Sequence, residues 1–165
     1  MSARAAGLRA GLAASAGVLL GACGFHLQGR EPLPPVLATV YVETENPQTD
    51  FAVHLRKSLL ASGARLAREA QDASAVVRIL DDTATRSVVS VSASNAPVAS
   101  EIRYSVRFTV SAGERELLPP QTLAATQAFS FDERLLLAKE NEEDILREAL
   151  ARDLASVAMR RLSSL

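Results

Sequence analysis

The chain has 165 residues, one of them cysteine, and carries 18 Lys plus Arg against 19 Asp plus Glu. The near balance excludes the basic surplus of a general nucleic-acid binder, and a lone cysteine excludes an internal disulfide. An exported domain of this size relies on its apolar core, which at this length buries roughly 68–70% of the unfolded surface.

Arg4 and Arg9 precede an apolar run from Ala10 to Leu20 in which Ser15 is the one polar side chain. A positive segment, an apolar segment and small residues before a cut describe a secretory signal. The run is shorter than the roughly 20 residues that span a bilayer. Leu20-Gly21-Ala22-Cys23 resembles the lipobox of bacterial lipoproteins, in which the thiol takes a diacylglycerol and the cysteine becomes the first mature residue. The alternative is a plain signal with a chance cysteine. Gly24, not Asp, at the next position resembles lipoproteins released to the outer membrane. Residues 1–22 therefore read as a lipoprotein signal peptide, 23–35 as a lipidated tether and 36–165 as a single domain. Removing the signal leaves 16 basic against 19 acidic side chains. No stretch after Cys23 is long and apolar enough to cross a membrane, so the lipid is the expected anchor.

Gly29, Pro32, Pro34 and Pro35 make residues 28–35 extended. Val36 to Glu43 alternates, with Val36, Ala38, Val40 and Val42 on one face, which predicts a strand. Asn46-Pro47 breaks it. Thr49 is a candidate N-cap for a helix whose stripe is Phe51, Leu55 and Leu59, reinforced by Leu60, with His54, Arg56 and Lys57 outward. Gly63 ends that helix in the left-handed conformation. Ala75–Leu80 predicts a strand, Asp81-Asp82-Thr83 a turn or a bulge, and Arg86–Ser92 a further strand. Ser94-Asn95-Ala96-Pro97 is a turn by composition. Ile102, Tyr104, Val106, Phe108 and Val110 alternate with Arg103, Ser105, Arg107, Thr109 and Ser111, giving one dry and one wet face. Ala112-Gly113-Glu114 reads as a hairpin turn. Leu123, Ala125, Gln127, Phe129 and Phe131 mark a last strand, with Pro119-Pro120 at its entry. From Asn141 the pattern is helical through Ile145, Leu146, Ala149, Leu150, Leu154, Val157, Ala158 and Leu162. Glu142, Glu143 and Asp144 then occupy the first turn and Arg160 and Arg161 the last, both suited to the helix dipole.

These elements predict an α+β fold, a two-layer sandwich with a mostly antiparallel sheet of about four strands packed against two helices. Tyr104, Val106, Phe108, Leu146, Leu150 and Leu154 are expected to meet in one core.

No catalytic constellation is legible. His26 and His54 lack a Cys or Glu at metal spacing, and the one thiol is expected to be acylated. Phosphate loops and nucleophile elbows are absent. Asp81 and Asp82 are adjacent on a strand and point to opposite faces. The reading is of a protein that is not an enzyme and uses no cofactor and no metal. Arg86, Arg103 and Arg107 lie on strand segments, the last two on one polar face. Such arginines are solubilising or hold phosphates through bidentate hydrogen bonds.

Cys23-Gly24-Phe25-His26-Leu27, directly after the lipobox, resembles the start of the LptE family of lipopolysaccharide-assembly lipoproteins. Ala138-Lys139-Glu140-Asn141-Glu142-Glu143-Asp144 resembles the entry to that family's C-terminal helix, and the order of elements between the two blocks fits as well. The resemblance implies an outer-membrane lipoprotein, periplasm-facing and inside the lumen of the LptD β-barrel. There it plugs the barrel, assists its assembly and takes part in inserting lipopolysaccharide into the outer leaflet. It also implies that Lys139 matches a basic position of the family motif, so Lys139 either meets an anionic ligand or is a plain surface lysine. Arg86 and Arg103 join it as candidates for lipopolysaccharide from strand position alone. His26 is either a contact to the partner or a residue at the root of the tether. The second functional class is an accessory lipoprotein of another envelope complex, in secretion or cell-wall binding.

Overall fold

Two prolines set the entry to the folded chain. In this computed structural model the described residues are 33–93, 97–130 and 136–165. The signal, Cys23, His26, the turn at 94–96 and Phe131 lie outside them. Pro35–Leu37 forms a single 3-10 turn, closed by the Leu37 N–H on the Pro34 carbonyl at 2.8 Å. This turn shifts the phase of the expected strand. Leu37 enters the core in place of Ala38, Leu33 rests against it, and β1 is confined to Thr39–Glu43, with Val40 and Val42 buried as the alternation requires.

Helix α1 spans Asp50–Ala61 and begins where Thr49 accepts the Ala52 N–H on its side chain. Phe51, Leu55 and Leu59 are fully buried, whereas Leu60 is 54% exposed and does not reinforce the stripe. Gly63, at φ +91°, closes the helix. Its N–H reaches the Leu60 carbonyl and the Ala64 N–H reaches that of Leu59, which together satisfy two orphan carbonyls. Strand β2, Arg65–Leu66, follows and pairs parallel to β1; two residues are too few for a periodicity to show.

Strand β3 runs unbroken from Ala75 to Val91, parallel to β1 over its first four residues and antiparallel to β4, Pro97–Ala112. The alternative of a bulge at Asp81-Asp82-Thr83 is the one realised: the register shifts between Ile79 and Asp81, so Leu80 is the extra residue. Gly113, at φ +58°, opens a two-residue turn of the kind that favours glycine first. Strand β5, Arg115–Ser130, starts earlier than expected. Pro119 and Pro120 sit inside it, opposite Thr109, where the register shifts again. An edge strand tolerates this because its missing N–H groups can lie at a bulge. The sheet order is β2-β1-β3-β4-β5. It is a mixed sheet of five strands, one more than expected, and α+β as predicted.

Helix α2 extends over Leu136–Ser163, five residues earlier than the predicted start. Leu136, Leu137, Ala138, Lys139 and Glu140 are all good helix formers, and nothing among them breaks the helix. Glu142, Glu143 and Asp144 consequently lie beyond its first turn, and Glu143 and Asp144 pair with the side chains of Arg86 and Arg147; Arg160 and Arg161 do occupy the last turn. Ile145 is 65% exposed, contrary to its place in the predicted stripe. The buried stripe is Leu150, Ala151, Leu154, Ala155, Ala158 and Leu162, and its three alanines let α2 approach closely. Tyr104, Val106, Phe108, Leu150 and Leu154 share one core, with Leu146 partly buried against it.

Candidate ligand- and partner-binding residues

Cross-strand partners share a face of the sheet, so register decides which arginines can act together. Arg86 stands opposite Ile102, a core residue, and therefore belongs to the helix-covered face. Arg103 stands opposite Thr85 and Thr126 on the open face, with Arg107 four residues on. The structure thus separates Arg86 from Arg103 by the thickness of the sheet. The open face carries Thr83, Thr85, Ser105, Thr122 and Thr126 around its arginines, a polar surface that, among the described residues, neither helix covers.

Arg86 reaches α2. Its Nη1 donates to Glu143 Oε2 at 2.9 Å, and the guanidinium lies 5.8 Å from the centroid of the Phe129 ring. Position 139 precedes Glu143 by four residues on the helix, one turn along the same stripe. Arg86 and the segment of α2 that carries Lys139 therefore belong to one corner of the fold. The Lys139 side chain lies outside the described residues, as do Cys23 and His26.

The sequence did not reveal a polar knot at the start of α1. The Phe51 N–H donates to the Tyr104 hydroxyl at 3.3 Å, and that hydroxyl donates to Asp82 Oδ1 at 2.7 Å. The Thr49 hydroxyl donates to Asp82 Oδ2. Two N-terminal N–H groups of the helix are thus satisfied, and a carboxylate sits where the dipole favours one. Burial pushes the Asp82 carboxyl up despite hydrogen bonds from Thr49 and Tyr104 that act the other way. Tyr104 is pushed up first by burial, then by its bond to Asp82. The bulge at Leu80 turns Asp82 inward, while Asp81 stands opposite Arg107 on the open face. The two carboxylates therefore do not act as a pair.

Beside the knot, Arg147 joins the helices. It donates to Asp50 of α1 at 2.8 Å and to Asp144, one turn back, at 2.8 Å. The bond to Asp50 is the main cause that raises the guanidinium further. His54 does not face outward: its Nε2 is 3.3 Å from Glu148 and the side chain is 15% exposed. These partners lie 94 and 97 residues apart in sequence, so no local pattern could have joined them. Among the described residues no group of three or more His, Cys, Asp or Glu is placed to hold a metal, and no helix is long and apolar enough to cross a membrane.

Comparison with known proteins places this architecture. The solution structure of a lipoprotein B from Nitrosomonas europaea is similar at a TM-score of 0.70 and 24% identity, over 86% of this chain and 91% of that one. A minor lipoprotein from Acinetobacter baumannii is similar at a TM-score of 0.65 and 23% identity, over 79% and 94%. Both likenesses speak to the fold. The LPS-assembly lipoprotein LptE of Pectobacterium atrosepticum is 25% identical over 142 residues, 85% of this chain and 76% of its own length. The family model described as LptE, lipopolysaccharide-assembly, matches residues 37–162, from the 3-10 turn at the fold's entry to the last turn of α2. A match that takes in both helices and the whole sheet shows that the chain belongs to the LptE family of lipopolysaccharide-assembly lipoproteins.

Proposed function

We propose that this protein is an outer-membrane lipoprotein, anchored through Cys23 and periplasm-facing, that plugs the LptD β-barrel from within its lumen, assists its assembly and takes part in inserting lipopolysaccharide into the outer leaflet. The signal at 1–22, the tether at 23–35 and the domain at 36–165 are the corresponding parts. The observation that carries the reading is the family match over the complete fold. The open sheet face supports it, because a surface of Thr, Ser and Arg suits contact with the polar interior of a large barrel. Arg103 and Arg107 on that face would meet the barrel, and His26 would contribute from the tether. The test is purification from outer membranes. A stoichiometric large β-barrel is the expected companion, and depletion of this protein is expected to lower the amount of folded barrel. Normal barrel levels together with normal surface lipopolysaccharide would return the protein to another envelope complex.

Lipopolysaccharide would be met at the corner where α2 begins, by Lys139 with Arg86. Lipid A carries phosphates, and a mature chain with 16 basic against 19 acidic groups needs a local concentration of cations to hold them. Lys139→Glu is expected to weaken lipopolysaccharide binding in moderate salt while leaving stability and barrel copurification nearly unchanged. Added salt shrinks the difference, since exposed charges are screened over about 8 Å at physiological ionic strength. Equal binding by wild type and variant at low salt would make Lys139 an ordinary surface residue.

A further inference from the structure

The cationic corner proposed for lipopolysaccharide has an acid already seated in it. Arg86 Nη1 on β3 donates to Glu143 Oε2 on α2 at 2.9 Å, with the two side chains 39% and 32% exposed. A guanidinium offers the same planar fork to a carboxylate and to a phosphate. Glu143 therefore holds a position on Arg86 that a phosphate oxygen of lipid A would take. Glu140, Glu142 and Asp144 flank it in sequence, against Lys139 as the one cation of the motif. An incoming phosphate thus also meets like charge.

The surroundings let this pair open alone. Helix α2 is tied to α1 by other side chains: Arg147 bonds Asp50 and Asp144, each at 2.8 Å, and His54 approaches Glu148 at 3.3 Å. None of these ties passes through Glu143. On the sheet side, the Arg86 guanidinium lies 5.8 Å from the centroid of the Phe129 ring, and Phe129 is buried. That contact helps hold Arg86 in place whether or not Glu143 is bound to it. Partly exposed pairs couple weakly, so the exchange is a side-chain event of low cost. A carboxylate arriving at Arg86 exchanges like for like, whereas a phosphate monoester brings about two charges and three acceptor oxygens.

We infer that Glu143 is a built-in competitor for the Arg86 seat: its carboxylate occupies the guanidinium, and a lipid A phosphate binds by displacing it. Glu143 then turns to solvent while α2 stays tied to α1 through Arg147. An anion must therefore bind Arg86 more strongly than a carboxylate does, which makes Glu143 a specificity residue that opposes binding. The inference rests on the reading of this corner as the lipopolysaccharide site.

The experiment titrates the full lipidated chain, in detergent micelles, with bisphosphorylated lipid A and with lipid A stripped of both phosphates. Glu143→Gln is expected to bind the phosphorylated form about two- to fivefold more tightly than wild type. Glu143→Asp keeps the charge but is one methylene shorter, and is expected to gain in the same direction. Glu142 is exposed, and Glu142→Gln removes a charge without releasing Arg86, so it is expected to gain less than Glu143→Gln. In an Arg86→Ala background the gain from Glu143→Gln is expected to vanish. The stripped lipid is expected to bind every variant alike. Glu143→Asp equal to wild type, or Glu142→Gln equal to Glu143→Gln, would reduce the effect to bulk charge and overturn the competitor. A gain that persists without Arg86 overturns it as well. Equal binding of both lipids by wild type would instead remove phosphate from this corner, and the reading of the site would fall with it.

Discussion

From Ala75 to Ile79 β3 buries every second side chain, and over Ala75–Arg78 it pairs with β1 on the side away from β4; from Asp81 to Val91 the same strand has β4 on one side only and buries none. The residue types do not account for the change. Val88, Val89 and Val91 are as apolar and β-branched as Val77, yet they are 51%, 60% and 52% exposed against 0%. Strand β4 makes the contrast sharper. It keeps its alternation as far as Ser100, because β3 and β5 flank it over that whole length. Burial in this sheet is a property of what lies beside and above a strand, and alternation only says which face is available for it.

The largest expected effect tests that contrast directly. Phe108, fully buried opposite Ile79, belongs to the covered half, and Phe108→Ala is expected to cost about 3–5 kcal/mol. Val91→Ala in the uncovered half is expected to stay within about 0.5 kcal/mol. Denaturant midpoints of the two variants measure both. Similar losses would mean that something covers the far end of the ribbon in solution.

The Asp82 knot sits at the boundary between the halves and gives the next largest effect. Tyr104→Phe removes one partner from the Phe51 N–H and one from Asp82, at a cost of about 1–3 kcal/mol. The pH dependence has an unusual sign. Burial holds the folded-state Asp82 carboxyl above its ordinary 3.8, so the folded protein keeps this proton to higher pH than the unfolded chain does. The associated stability is complete below about 3.8 and is lost as pH rises through the higher folded value. A wild type compared with Asp82→Asn by urea unfolding should therefore gain on the variant between pH 7 and pH 4. The reverse trend would make the hydrogen bonds from Thr49 and Tyr104, and not burial, the dominant influence.

The parts of this fold legible in sequence are those in which one local period decides the outcome. The alternation from Ile102 to Val110, the Phe51-Leu55-Leu59 stripe, the Thr49 cap and Gly63 are each settled within a few neighbouring residues. What was not legible depends on distant neighbours. The two residues of β2 become a strand because β1 is there to pair with. Asp82 turns inward because one extra residue, Leu80, changes the phase. Arg86 was a candidate by its strand position alone. That it faces α2 while Arg103 faces away follows from the same shift, since moving the register by one residue exchanges the faces.

The smallest expected effect asks what fastens the uncovered half to the rest. Arg86 is its one described ion-pair link to α2, through Glu143, with side chains 39% and 32% exposed. Partly exposed pairs couple by about 0.2–1 kcal/mol, and the same guanidinium adds a cation–π contact to Phe129 of about 0.5–1 kcal/mol. Arg86→Ala loses both, whereas Glu143→Ala loses only the first. The single arginine variant should therefore be the less stable of the two, and the double variant should recover the coupling. Raising the salt concentration should shrink the coupling while leaving the Phe129 part in place. A coupling of zero at low salt would assign the fastening to Phe129, 9% exposed and packed opposite Ser100. The charge pair would then hold the far half of the ribbon no better than water does.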